Sequence, residues 1–286
     1  MRAAAGLSSS SETVDEAGDG TVEGLSVMLT VPLCPTCLWS CALVHRVKRH
    51  TLLTDGGVRC VAMGVMCGIV GHIACKASQR SREVVLGGLA RLEYRGYDSA
   101  GIALASPDHL DVRRALGKLV NLSEELDAQP PADAFAGIGH TRWATHGRPT
   151  VANAHPHTSP DGRFSLVHNG IIENADTLRA ALIADGETFA SETDTEVVVH
   201  LLARAYYEAA PASYTGAVAG LSGTDEEVAR RLVAAMRAVT DKMHGTFTLL
   251  VVSNQSPNVI VAARRSSPLV VGLGEGENFL GSDVLA

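Results

Sequence analysis

The sequence predicts a globular domain of the α+β or α/β class that begins at Cys67. From that residue onward, short apolar runs of strand length alternate with segments whose apolar residues recur at helical spacing. Hydrophobic residues make up 46% of the 286 residues, which is enough for a substantial core. No segment repeats with a period of about 20 to 50 residues, so neither a solenoid nor a propeller is indicated.

The predicted elements mix strands and helices along the chain. The first helix, at residues 81 to 93, places Val85, Leu89 and Leu92 on one stripe. Further helices are predicted at residues 173 to 184, 193 to 208 and 225 to 244, with an Ala/Gly-rich surface insertion at residues 208 to 223. Strands are predicted at residues 67 to 74, 99 to 105, 111 to 117, 135 to 141, 163 to 169, 245 to 253, 258 to 264 and 268 to 274.

The first 65 residues differ from the rest of the chain in composition. Residues 1 to 24 are rich in Ser, Gly, Ala and acidic residues and carry almost no periodic apolar signal, which is typical of disorder. We therefore expect residues 1 to 65 to be a translated, disordered leader upstream of a true start at Met66. A cleaved pro-segment is the alternative.

Two other interpretations of this leader are disfavoured. Residues 24 to 44 are uncharged, precede a basic run at residues 45 to 50 and would just span a bilayer, but Pro32 and Pro35 would break the helix. The CPTC segment at residues 34 to 37 has the spacing of half a zinc site, and no second pair completes it. The sequence therefore predicts neither a membrane anchor nor a metal site.

The charge and the cysteine content exclude two classes of protein. The net charge is -7, and the one dense basic run is at residues 45 to 50, so no nucleic-acid-binding surface is indicated. The six cysteines all lie in the first third of the chain and do not form the framework of a small secreted protein. A reducing cytoplasm is the simplest setting.

Cys67 directly follows a methionine and opens the strand that begins the domain. A cysteine attacks as the thiolate, and a free thiol has a pKa of about 8.5, so it needs a base. If Met66 is removed, Cys67 supplies that base itself, because an α-amino group has a pKa of about 7.7 to 8.0 and is partly neutral at neutral pH. The alternative is an ordinary buried strand cysteine.

Three other segments carry candidate binding groups. Arg142 lies in a loop after a strand and could hold a carboxylate with two parallel bonds, although loop arginines are usually solvated. Asn169 and Gly170 could present a side-chain amide and a backbone N–H to an oxyanion, or could simply form a turn. Residues 191 to 197 place acids at a helix start, where capping by Thr193 or Asp194 is the simpler interpretation.

Two remaining motifs are interpreted as structural. The HPH segment at residues 155 to 157 lacks helical spacing and no carboxylate joins it, so it predicts no metal site. The glycine-rich residues 272 to 278 do not match GxGxxG and do not lead into a long helix, so they predict no phosphate site.

Taken together, these motifs occur in one order over the length of one domain. They are MCGIVG at residues 66 to 71, LEYRGYDSAG at 92 to 101, GIGHTRWATHGRPT at 137 to 150, NAHPH at 153 to 157, HNGIIEN at 168 to 174 and SETDTEV at 191 to 197. The series resembles the glutaminase half of the glutamine–fructose-6-phosphate aminotransferases, which are class II glutamine amidotransferases. The resemblance covers Met66 to the end and implies an α+β fold, the four-layer αββα sandwich of N-terminal-nucleophile hydrolases.

The resemblance also implies roles for particular residues in the hydrolysis of L-glutamine. Cys67 would be the nucleophile with its α-amine as base, and Asn169 with the Gly170 N–H would form the oxyanion hole. Arg142 would bind the α-carboxylate of glutamine and Asp194 its α-ammonium. The remaining residues implied are Trp143, Thr145 and His146 in a loop that closes over glutamine, and Arg95 in a segment that supports the site. No cofactor is implied.

The resemblance has further implications for the complete protein. Its relatives continue into sugar-isomerase domains that convert fructose 6-phosphate to glucosamine 6-phosphate, and we expect this chain to stop before them and before the last glutaminase strands. A cytoplasmic homodimer is implied at full length. One alternative is another class II member such as an amidophosphoribosyltransferase, which typically has Tyr-Ser where this chain has Trp143-Ala144. The other is a non-catalytic glutamine-binding module.

Overall fold

The structure is a computed structural model that describes residues 67–107, 109–143, 148–209, 221 and 223–286, and the backbone of residues 25–30 and 42–43. The helices are α1 (Arg80–Leu92), α2 (Leu119–Ala128), α3 (Ala175–Ala184), α4 (Asp194–Glu208) and α5 (Gly223–Lys242), with a 3-10 turn at Glu93–Arg95. The strands are β1 (Leu25–Thr30), β2 (Ala42–Leu43), β3 (Gly68–Ser78), β4 (Ser99–Ser106), β5 (His109–Leu116), β6 (Ala134–Arg142), β7 (His157–Thr158), β8 (Phe164–Ile172), β9 (Gly245–Ser253), β10 (Val259–Arg265), β11 (Val270–Leu273) and β12 (Glu277–Gly281).

The strands form two antiparallel sheets of six strands each. The first sheet has the order β2-β1-β10-β9-β8-β7 and the second the order β11-β12-β3-β6-β4-β5. Strands β3 and β6 therefore lie in the middle of the second sheet, whereas β8 lies between β9 and the two-residue edge strand β7 of the first.

Three apolar cores hold four layers together. Between the sheets, side chains such as Ile69 and Ile138 of the second sheet meet Val167 and Leu250 of the first. On the outer face of the first sheet, α4 and α5 cover a second core, and on the outer face of the second sheet α1 and α2 cover a third. Both outer cores arise because each helix presents one apolar stripe. The αββα sandwich implied by the resemblance is confirmed.

Most predicted elements occur within a few residues of their predicted bounds, and three helices or strands that follow Cys67 were missed. These are the short strand β7, strand β12, which lies between β11 and β3, and helix α2, where Leu119, Leu122 and Leu126 are buried at helical spacing. The side chain of Glu93 accepts a hydrogen bond from the Leu119 N–H at 2.9 Å and so caps this helix from a distant part of the sequence. Sequence spacing alone gives no sign of such a cap.

The sequence interpretation of Asn169-Gly170 as a strand end is wrong. Strand β8 continues to Ile172 and pairs with β9 throughout, from Phe164 opposite Ser253 to Ile172 opposite Gly245. The two residues predicted to form an oxyanion hole therefore lie within a strand that is paired with β9 and not in a turn.

Part of the predicted leader takes up regular backbone structure. The backbone of Leu25–Thr30 pairs antiparallel with Val259–Arg264 of β10, and Ala42–Leu43 pairs with β1. The sequence predicted neither strand. Several features of the sequence lie outside the described residues. They are Pro32, Pro35, the CPTC segment, the proposed start at Met66 and most of the insertion at residues 208 to 223. Within the described part of the chain, no helix is both long enough and apolar enough to cross a membrane.

Candidate active site

Cys67 lies directly before β3, half-buried at the end of the second sheet. Its Sγ accepts a hydrogen bond from the Trp143 N–H, with 3.1 Å between the two heavy atoms. The neighbouring residue Gly68 is fixed to β6 by its N–H, which donates to Thr141 Oγ1 at 3.2 Å. The ends of β3 and β6 thus hold the thiol against the first residue after β6.

The surroundings of Cys67 keep its thiol protonated. Burial raises the pKa of Cys67 above its ordinary value, and the charge of Asp98 acts in the same direction. The hydrogen bond from Trp143 and the positive charge of Arg142 lower this pKa, but burial outweighs them. The thiol therefore needs a base before it can act as a nucleophile.

Asn169 connects β8 of the first sheet to Cys67. Its Nδ2 donates to the backbone oxygen of Cys67 at 2.7 Å, and its Oδ1 lies 3.1 Å from His140 Nε2. The next residue, Gly170, has a φ of 135° and tight surroundings, since an added Cβ would lie 2.0 Å from the Thr246 backbone oxygen. Only glycine fits this conformation and space.

Arg142 and Asp194 provide a fixed cation and a fixed anion. Arg142 is the last residue of β6, is buried, and donates to the backbone oxygen of Arg148 at 3.4 Å. Burial lowers the pKa of Arg142, whereas the charges of Cys67, Asp98 and Asp194 raise it. These three groups are therefore close enough to the guanidinium for their charges to interact with it.

Asp194 is the first residue of α4 but does not cap that helix. Thr193 is the cap, because its side chain accepts from the Glu196 N–H. The Asp194 carboxylate instead turns toward β8, where Oδ2 accepts the Ile172 N–H at 2.9 Å, and its Oδ1 lies 3.7 Å from His168 Nδ1. Burial acts to raise the pKa of Asp194, but His168, the Ile172 amide and the Thr195 hydroxyl outweigh it and hold this pKa far below its usual range.

The structure describes two of the four remaining residues that were predicted to belong to the site. The Trp143 ring packs edge-on against Tyr97, with 5.2 Å between ring centroids, so Trp143 contacts both Cys67 and an exposed tyrosine. Arg95 lies on the 3-10 turn, where its Nη1 pairs with Asp283 Oδ2 at 2.9 Å. Thr145 and His146 lie outside the described residues.

A cluster of buried histidines behind Asn169 was not predicted as part of the site. Its members are His140, His155, His157 and His168. Burial is the largest cause that lowers the pKa of both His140 and His157 to about 3, so both rings are neutral. The available signal was the position of histidines at 140 and 168 within otherwise apolar strands. In the described part of the chain, no group of three or more His, Cys, Asp or Glu side chains is arranged to hold a metal ion.

Part of the chain is similar in sequence to a known family. Residues 131–219 match the sequence model of a family described as a glutamine amidotransferase domain. Those residues include Arg142, Asn169 and Asp194 of the site. This part of the chain is therefore similar to a glutamine amidotransferase domain.

Curated proteins similar to this chain share about half of the aligned residues. The chain is 52% identical over 222 residues to the glutamine–fructose-6-phosphate aminotransferase (isomerizing) of Leifsonia xyli, a match that covers 77% of this chain and 32% of the relative. The protein of the same name from Streptomyces coelicolor is 52% identical over 221 residues, with 77% and 32% coverage. The chain thus spans about a third of the length of the curated relatives it matches.

A solved structure also agrees with the fold described above. The glutamine phosphoribosylpyrophosphate amidotransferase from B. subtilis, complexed with ADP and GMP, matches with a TM-score of 0.57 and 22% identity, over 76% of this chain and 42% of that one. At this identity the likeness concerns the fold. The amidophosphoribosyltransferase alternative is thus a distant structural neighbour, whereas the aminotransferases are close in sequence.

Proposed function

We propose that this domain hydrolyses L-glutamine with the Cys67 thiol as nucleophile. The observation that supports this most directly is the convergence of β3, β6 and β8 on Cys67. The Trp143 N–H reaches its sulfur at 3.1 Å, and the Asn169 amide reaches its backbone oxygen at 2.7 Å. A thiol beside preorganised uncharged donors is the arrangement that acyl transfer through a tetrahedral oxyanion requires.

The charged side chains suit the head group of the substrate. Free glutamine carries an α-carboxylate and an α-ammonium, so a selective site needs one fixed cation and one fixed anion. Arg142 can hold the carboxylate with two parallel hydrogen bonds, and Asp194, which stays ionised, can hold the ammonium. We assign Trp143, with Thr145 and His146, to the loop over the substrate, and Arg95 to its support.

The reaction would proceed through a thioester. A free α-amine on Cys67 accepts the thiol proton, and the sulfur attacks the δ-amide carbon of glutamine. The resulting oxyanion accepts hydrogen bonds from the Gly170 N–H and from the second hydrogen of Asn169 Nδ2, whose first is donated to Cys67. The amine passes its proton to the departing ammonia, and water then hydrolyses the thioester to release glutamate.

The same chemistry requires a break in the chain before Cys67. While residue 66 is attached, the nitrogen of Cys67 is an amide whose lone pair is delocalised and cannot accept the thiol proton. We therefore propose that residues 1 to 66 are absent from, or removed from, the active form.

In the complete protein we propose that the ammonia is transferred to fructose 6-phosphate to give glucosamine 6-phosphate. The relatives are named for both glutamine and fructose 6-phosphate. Identity of 52% over 222 residues supports the same two substrates for the complete protein. A cytoplasmic homodimer belongs to the same proposal.

An electrophilic glutamine analogue tests the nucleophile. The material is the full chain with a protease recognition sequence inserted between Met66 and Cys67, cut after folding so that Cys67 becomes the first residue. We refer to it below as the cleaved chain. A diazoketone analogue of glutamine should add one label at Cys67, and excess glutamine should protect against it.

The half-buried Cys75 provides the matched control. The cleaved chain should be labelled normally when it carries Cys75→Ser and should stay unlabelled when it carries Cys67→Ala, as read by peptide mass spectrometry. Label at Cys75, or glutamine binding without any label or hydrolysis, would contradict the proposal. The second result would favour a non-catalytic binding module.

A further inference from the structure

His140 lies at the centre of the buried cluster and contacts the candidate oxyanion donor directly. It is in β6 and only 1% exposed. Its Nε2 lies 3.1 Å from Asn169 Oδ1 and 3.1 Å from the backbone oxygen of His168. Two neighbouring residues of β8 are thus held by one ring nitrogen.

The partners of His140 determine its tautomer. A backbone oxygen can only accept, and Asn169 presents Oδ1 to His140 because its Nδ2 donates to the Cys67 oxygen. Nε2 must therefore carry the hydrogen. Nδ1 is buried and has no hydrogen-bond partner among the described residues, which suits the bare lone pair of a neutral ring. Burial, with the nearby charges of His168 and Arg142, lowers the pKa of His140 to about 3 and keeps the ring neutral.

The ring of His140 is also fixed in its plane. It stacks on His155, with 4.2 Å between centroids and 23° between planes, and His155 Nε2 lies 2.8 Å from Thr195 Oγ1. Gly101, opposite His140 in β4, makes this stack possible. An added Cβ at Gly101 would lie 2.0 Å from the His155 backbone oxygen and would push that ring away.

We propose that His140 is a positioning residue for glutamine hydrolysis, because its Nε2–H holds the Asn169 amide with Nδ2 turned toward Cys67. This inference rests on the proposed function. An amide has nearly the same shape after a half-turn, so sterics alone do not choose between its two orientations. In the reversed orientation, Oδ1 would face both the Cys67 oxygen and the developing oxyanion, and attraction would become repulsion.

The substitutions His140→Met and His140→Gln test this role in the cleaved chain. Both side chains have similar length, but only glutamine places an N–H donor where Nε2 lies. We expect His140→Met to lower kcat by about 10- to 100-fold, less than the loss of a whole oxyanion donor, with little change in KM. His140→Gln should recover most of that loss.

A double substitution separates positioning from a general structural effect. In the Asn169→Ala background, His140→Met should lower kcat by less than about twofold further, since the group it positions is gone. His72→Met is the matched control, because His72 is also fully buried in the same sheet but is bonded to Ser81 and Glu277. It should leave kcat unchanged at a temperature where it is folded.

Three results would overturn the inference while leaving the proposed function intact. They are full kcat in His140→Met, a loss confined to KM, or an equal loss with and without Asn169. Turnover by the parent cleaved chain is measured first, so a failure of the proposed function is seen separately.

The tautomer gives a second readout that does not depend on a destabilised variant. In long-range ¹H–¹⁵N spectra of the cleaved chain, assigned with His140→Gln, the His140 ring should carry its hydrogen on Nε2 and stay neutral from about pH 5 upward. An Nδ1–H tautomer or a charged ring would contradict the proposed orientation of Asn169.

Discussion

The two ends of the candidate site solve different physical problems. At one end, Arg142 and Asp194 are buried or half-buried charges whose ionised forms are maintained by neighbouring charges and hydrogen bonds. At the other, the groups that donate hydrogen bonds to Cys67 are uncharged, namely the Trp143 N–H and the amide of Asn169. Behind that amide lies the neutral ring of His140.

This difference indicates how binding and catalysis are divided between the two ends. The head group of glutamine has the same charge in the ground state and in the transition state, so groups that hold it contribute to both equally and act on KM. Negative charge on the reacting amide exists only in the transition state, so donors aimed at it act on kcat. Uncharged donors at that end also bind the uncharged amide of the ground state only weakly.

The largest effect is expected at the neutral end, from Asn169→Ala. This substitution should lower kcat of the cleaved chain by about 10²- to 10³-fold, the usual size for one lost oxyanion donor. Steady-state ammonia release against glutamine concentration measures it. A change in KM alone would remove Asn169 from the oxyanion hole and would break the comparison.

An intermediate effect is expected at the charged end, from Asp194→Asn. This substitution keeps the size of the side chain but removes its charge. Because a hydrogen bond to a charged group contributes about 1.5 to 3 kcal/mol, KM should rise by roughly 10- to 100-fold. The value of kcat should change little. Glu196→Gln, which alters another carboxylate in the same helix turn, serves as the control, because Glu196 bonds the Ser191 N–H and not β8. A loss in kcat that exceeds the rise in KM would contradict the assigned division.

The smallest effect is a pH dependence of stability from two buried histidines behind Asn169. His140 and His157 have pKa values of about 3 in the folded chain, whereas an unfolded histidine has about 6.5. Below about pH 6.5 the unfolded chain binds protons that the folded chain rejects, so stability is full above that pH and falls on acidification.

The expected slope is about 1.4 kcal/mol per pH unit for each such histidine. The lowered pKa of Asp194 adds to the loss only when the pH falls below about 3.9, the value of an unfolded aspartate. Urea unfolding at several pH values above and below about 6.5 measures the slope, and His157→Gln should reduce it by one histidine's share. Stability that increases between about pH 6.5 and pH 4.5 would show that these rings are not buried and neutral.

The spacing of apolar residues in the sequence was sufficient to predict the layers of the fold. It was less informative about the arrangement of the candidate site. Apolar periodicity located α1, α4 and α5, because these helices bury one stripe each. The interpretation of Asn169-Gly170 as a turn failed because the strand continues through Gly170, which pairs with Phe247 of β9, 77 residues later (247 − 170). The preferences of residues for turns or strands within a short segment carry no information about that distant partner.

The histidine cluster could not be assembled from sequence for a similar reason. His140 and His155 stack only because Gly101 of a third segment leaves room for them. Each of these residues has an ordinary structural interpretation when taken alone, and they come together only through packing across three strands and a loop.

The central claim is that Cys67 acts as a nucleophile only when its own amino group is free. The direct test is glutamine turnover by one preparation of the full chain with the protease sequence before Cys67, measured before and after cleavage, with intact mass confirming each state. We expect ammonia release only after cleavage, and its loss in the matched Cys67→Ala chain. Equal turnover by the uncleaved, mass-verified chain, or a folded cleaved chain that neither hydrolyses glutamine nor reacts with its diazoketone analogue, would contradict the claim.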